Sequence, residues 1–176
     1  MAFLGFPLGG VAAAVLVGAI TTPLGGALGG AATGALIGAA QWLVLRRHLP
    51  LTSGWIAATA LGMGIGLALG IALLGTSTDG AALPLRGLIT GASIGIAQYV
   101  LLRGVSGSAS VWVPIVALGW ALGWMITRAV GVDLALQWAV FGSSGALLFQ
   151  LLTGLALTWI LRQGTVAPAP HTEVAA

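Results

Sequence analysis

Apolar residues run in six long blocks, at about 2–20, 24–45, 55–75, 82–102, 111–130 and 137–161. A membrane-spanning helix needs about 20 mostly apolar residues, so the pattern predicts an all-α, polytopic membrane protein of six transmembrane helices. Short breaks separate the blocks: Thr21-Thr22-Pro23, His48 to Gly54, Thr76 to Gly80 and Gly104 to Ser110. One membrane domain over 1–162 is expected, followed by a polar, Pro/Ala-rich tail over 163–176. The first block has no basic leader, which argues against a cleaved signal peptide.

Glycine recurs at every fourth position within these blocks. The runs are Gly26, Gly30, Gly34 and Gly38; Gly62, Gly66 and Gly70; Gly87, Gly91 and Gly95; and Gly119 with Gly123. Each costs about 1 kcal/mol against alanine in a soluble helix. In lipid the same spacing makes a smooth face on which a second backbone packs closely. These twelve glycines are therefore the expected helix-packing positions, a glycine zipper.

The even blocks resemble one another. Gly34-Ala-Leu-Ile-Gly-Ala-Ala-Gln-Trp-Leu-Val-Leu-Arg46 aligns with Gly91-Ala-Ser-Ile-Gly-Ile-Ala-Gln-Tyr-Val-Leu-Leu-Arg103. Gly154 to Arg162 keeps the glycine-to-arginine spacing but has Leu157 where glutamine stood. Trp55 precedes Ala60-Leu-Gly62 as Trp112 precedes Ala117-Leu-Gly119. The reading is an internal repeat of three parallel hairpins, about 2–46, 55–103 and 111–162, with approximate threefold pseudosymmetry. A linear or two-layer row of hairpins is the alternative. The Gly-x-x-Gln-Trp/Tyr-x-x-Leu-Arg helix resembles that of a group of small bacterial Gly/Trp-rich multi-pass membrane proteins, which implies the topology and no activity. In size and helix count the chain is also similar to the substrate-binding subunits of energy-coupling-factor transporters.

Charge sets the frame. Hydrophobic residues make up 59% of the chain and charged residues 5%, too few for a water-facing surface. The net charge of +3 comes from scattered arginines, which form no nucleic-acid patch. Arg46, Arg47, Arg103 and Arg162 end the even blocks and outnumber Arg86 and Arg128 at the opposite ends. The positive-inside rule then gives N-in and C-in topology in a bacterial inner membrane. Trp42, Trp55, Tyr99, Trp112 and Trp159 fall near the same interface and read as an aromatic belt.

Candidate chemistry is sparse. Gln41 and Gln98 lie on the glycine face, as does Gln150 in the third copy nearer the other end. They are read first as interhelical bonding groups and otherwise as lining a pathway. Arg86, Thr90 and Ser93 form a polar stripe on the fourth block, with Asp79 and Asp133 as expected partners for Arg86 and Arg128. Trp120 and Trp124 stand mid-membrane, where packing competes with stacking on a ligand. Phe141-Gly-Ser-Ser-Gly-Ala146 superficially resembles the nucleophile motif of rhomboid proteases. The histidines, His48 and His171, lie in a loop and the tail, so neither serves as an intramembrane base. With no cysteine and scattered acids, no metal cluster or enzyme activity is expected. Cofactors are not predicted, though a bound lipid, a pigment or a quinone-like ligand would fit such an interior. The expected partners are membrane lipids and either membrane proteins or further copies of the chain, with no nucleic acid. The sequence points first to a non-enzymatic accessory or scaffold subunit of a larger membrane complex, such as an energy-transducing one. The alternative is a transporter or channel for a small solute or lipophilic ligand.

Overall fold

The computed structural model describes residues 2–78, 80–131 and 142–163. It contains α1 (Gly5–Val17), α2 (Pro23–Leu45), α3 (Gly54–Leu74), α4 (Ala82–Leu102), α5 (Trp112–Ala129) and α6 (Gly142–Gln163). Short 3-10 turns, Ala2–Leu4 and Gly107–Val111, lead into α1 and α5. No strand occurs among the described residues. The protein is an all-α, multi-pass membrane protein. Helices α2 to α6 are long and apolar enough to cross a membrane, α5 together with its leading turn.

The first helix is shorter than its apolar block. At 13 residues and about 1.5 Å per residue, α1 extends about 20 Å, against a hydrocarbon core about 30 Å thick. Gly18 ends it with φ +72°, a backbone conformation that glycine adopts without steric cost. Pro23 then opens α2, and the Thr22 hydroxyl accepts from the Gly25 N–H at 3.1 Å. Hydropathy alone does not show this break, because Gly18-Ala19-Ile20 continues the apolar run.

Each helix packs on the next in chain order, and α6 returns against α1, so the helices close as a ring. Glycines set the approach. A Cβ on Gly30 or Gly34 of α2 would lie 2.8 Å from the Met63 carbonyl oxygen or 2.6 Å from that of Thr59, both on α3. On α3, Gly62 and Gly66 face the α4 backbone at Ile94 and Thr90, each at 2.6 Å. On α4, Gly91 would meet the Val116 carbonyl oxygen of α5 at 2.6 Å. Gly26, Gly38, Gly70, Gly87, Gly95, Gly119 and Gly123 also meet the following helix. The pattern extends to glycines outside those runs: Gly5 and Gly9 seat α1 on α2, and Gly145 of α6 faces Gly123. Leucines such as Leu61, Leu69, Leu73, Leu118, Leu151 and Leu155 point outward and are exposed, as lipid-facing positions require.

Candidate functional site

The interior has two zones: a hydrogen-bonded layer near the arginine-bearing ends, and a cavity toward the opposite end. The layer is built from Gln41 on α2, Trp55 and Thr59 on α3, Gln98 on α4 and Trp112 on α5. Trp55 Nε1 donates to Gln41 Oε1 at 3.1 Å, and Trp112 Nε1 donates to Gln98 Oε1 at 2.9 Å. Gln98 Nε2 donates to Thr59 Oγ1 at 2.9 Å and also reaches Gln41 Oε1 at 3.5 Å. The Thr59 hydroxyl in turn donates to the Trp55 carbonyl oxygen at 2.8 Å. The two indoles lie with ring centroids 6.2 Å apart.

This arrangement corrects the aromatic belt. Trp55 is 1% exposed and Trp112 4%, so both are core residues whose indole N–H groups are bonded internally. Trp42 and Trp159 do not share that burial. Trp42 donates to the Leu51 carbonyl oxygen at 3.2 Å and lies 4.7 Å beneath the Arg46 guanidinium, while Trp159 is exposed. The sequence did carry a signal for the buried pair: each tryptophan follows its glutamine by 14 residues. On α6 Leu157 and Ile160 are buried instead, and the Ser106 hydroxyl donates to the Ile160 carbonyl oxygen at 3.1 Å.

The cavity has a volume of about 460 Å³, within the size range of small-molecule sites. Its wall takes Phe6, Gly10, Ala13 and Ala14 from α1, Thr33 and Ile37 from α2, and Met63, Leu67 and Ile71 from α3. Leu83, Arg86 and Thr90 of α4 and Trp120 and Trp124 of α5 complete it. It reaches the exposed Gly18, Ala19 and Thr76 in the loops after α1 and α3. None of its lining residues belongs to the glutamine layer. Phe6, Trp120 and Phe149 form an aromatic cluster beside it, with centroids 5.7–6.1 Å apart.

The polar stripe of α4 divides. Arg86 and Thr90 line the cavity, whereas Ser93 faces α3 and its hydroxyl donates to the Ile89 carbonyl oxygen at 3.0 Å. Arg86 donates from Nη1 to the Gly75 carbonyl oxygen at 3.0 Å and from Nη2 to that of Ser77 at 2.6 Å. It thus holds carbonyls at and just beyond the C-terminal end of α3, where a cation is favoured by the helix dipole. Arg128 Nη1 donates to the Gly80 carbonyl oxygen at 2.7 Å. Asp79, Asp133 and the 164–176 tail lie outside the described residues.

Among the described residues, three buried side-chain atoms have no hydrogen-bond partner: Thr90 Oγ1, Trp120 Nε1 and Gln150 Nε2. Gln150 does not join the glutamine layer. The other two are on residues that line the cavity, Thr90 and Trp120. Leaving such a group unpaired costs about 1–3 kcal/mol, and Thr90 and Trp120 each carry one. Among the described residues no cluster of His, Cys, Asp or Glu has a metal-binding arrangement. Comparison with protein-family models, curated proteins and solved structures finds no match to this chain.

Proposed function

We propose that this protein is a non-enzymatic, bacterial inner-membrane protein that binds a small lipophilic ligand inside its helix ring. The carrying observation is the apolar cavity of about 460 Å³ with its polar rim at Thr76, Thr78 and Arg86. It stops short of the Gln41/Gln98 layer, which favours capture from one end over open conduction. The glutamines act as interhelical bonding groups, since their partners are indoles and a hydroxyl within the bundle. The accessory-subunit reading draws in part on the tail, which lies outside the described residues; the cavity supports the ligand-binding reading.

The experiment is native mass spectrometry of protein released gently from its membrane, with Ala14→Trp as the filled-cavity variant. Wild-type protein is expected to carry a small-molecule adduct that Ala14→Trp lacks while eluting as a folded species. Adduct-free wild-type protein, or equal adducts on both proteins, would remove the proposal.

In this reading the arginine-bearing ends face the cytoplasm. The chain has no cysteine, so single cysteines report sidedness cleanly. In intact cells an impermeant maleimide is expected to label Thr76→Cys, and to label Gly104→Cys only after permeabilisation. Equal labelling of both from outside would reverse the assignment.

A further inference from the structure

Resting on the ligand-cavity reading, we infer that the ligand is an uncharged lipophile bearing a hydrogen-bond-accepting oxygen, such as a carbonyl, that seats against Thr90 and Trp120. Thr90 is 1% exposed and Trp120 6%, and both line the cavity. Thr90 Oγ1 and Trp120 Nε1 have no partner. An indole nitrogen only donates, and a threonine hydroxyl donates or accepts after a turn about one side-chain bond. The group that satisfies both is therefore an acceptor. A hydrocarbon would leave both unpaired.

The rest of the wall narrows the class. Ile37, Met63, Leu67 and Leu83 give the ligand an apolar bed. Arg86, also in the wall, repels a cation. Two of its nitrogens are already engaged by the Gly75 and Ser77 carbonyl oxygens, which lessens its call on an anion. Buried donors in an apolar site discriminate strongly, because an analogue without the matching oxygen leaves them unsatisfied.

The test compares 1-tetralone with tetralin, two probes that differ by the carbonyl oxygen. Binding is measured by calorimetry on protein in lipid nanodiscs, with empty discs subtracted. Wild-type protein is expected to bind tetralone at least about tenfold more tightly, the equivalent of one restored hydrogen bond. That advantage is expected to shrink in Thr90→Val and in Trp120→Phe. Loss in one variant alone would place the oxygen on that donor. Thr90→Val is also expected to melt above wild type without any probe, because it removes an unpaired buried hydroxyl while keeping the side-chain shape. Equal affinity for the two probes, or an advantage that survives both substitutions, would overturn the inference and leave the lipophile cavity standing. Binding of neither probe would overturn both.

Discussion

Gly34→Leu and Gly91→Leu are expected to break the helix ring. A Cβ at Gly34 would lie 2.6 Å from the Thr59 carbonyl oxygen and 2.9 Å from the Ala60 Cα. At Gly91 it would lie 2.6 Å from the Val116 carbonyl oxygen and 2.8 Å from the Ala117 Cα. These neighbours are backbone, so no rotamer change relieves the clash, and leucine adds three more heavy atoms beyond the Cβ. Overpacking typically costs about 1–3 kcal/mol, and both variants should fall at or above the upper end. Gly154→Leu is the internal control: nothing lies within 4 Å of its Cβ position, and the residue is exposed. Thermal unfolding in detergent should show Gly154→Leu melting with wild type while the other two lose their cooperative transition. If all three melt alike, these glycines do not set the helix interfaces.

Gln98→Leu should be the most destabilising change in the polar layer. It removes the acceptor for Trp112 Nε1 and the donor to Thr59 Oγ1. Thr59 keeps its bond to the Trp55 carbonyl oxygen, so the main penalty is one buried indole N–H left unpaired, about 1–3 kcal/mol. That exceeds the average of about 0.6 kcal/mol for a polar contact between membrane helices, because the indole is buried and Gln98 is the acceptor of its N–H. Gln150→Leu makes the contrast, since Gln150 Nε2 has no partner to lose. It should cost nothing or stabilise. Equal destabilisation by the two substitutions would show that the Gln98 network carries no special weight.

Much of this architecture is written in periodicity. Glycine at every fourth position reports which helix faces touch, and the twelve glycines read from the sequence all face the following helix. Helix ends were less legible. Gly18 stops α1 through a backbone conformation, and no change in hydropathy marks it. Trp55 and Trp112 read as belt residues because they begin apolar blocks, where an interfacial tryptophan is expected. Their burial depends on which helices flank them in the ring, and only the recurrent 14-residue spacing to Gln41 and Gln98 hinted at it. The cavity itself has no local signature. It forms because α1 to α5 surround a space that their small residues leave unfilled, a property of ring closure and not of any one block. Its chemistry was partly visible: Arg86 and Thr90 stood out as a stripe, and Trp120 and Trp124 as aromatics away from the ends. Nothing in the sequence showed that Thr90 and Trp120 would lack partners, since that depends on what the neighbouring helices fail to offer.

The cavity reaches the loops after α1 and α3 and stops short of the glutamine layer. Ala13 and Leu157 are almost equally buried, at 6% and 8% exposed, yet only Ala13 lines the cavity. The decisive measurement is the rate at which a small neutral maleimide modifies Ala13→Cys and Leu157→Cys in the folded, membrane-embedded protein. The cavity predicts fast modification of Ala13→Cys, slowed by 1-tetralone, and protection of Leu157→Cys until the protein unfolds. Equal protection of both thiols would contradict it, because the interior would then be closed throughout.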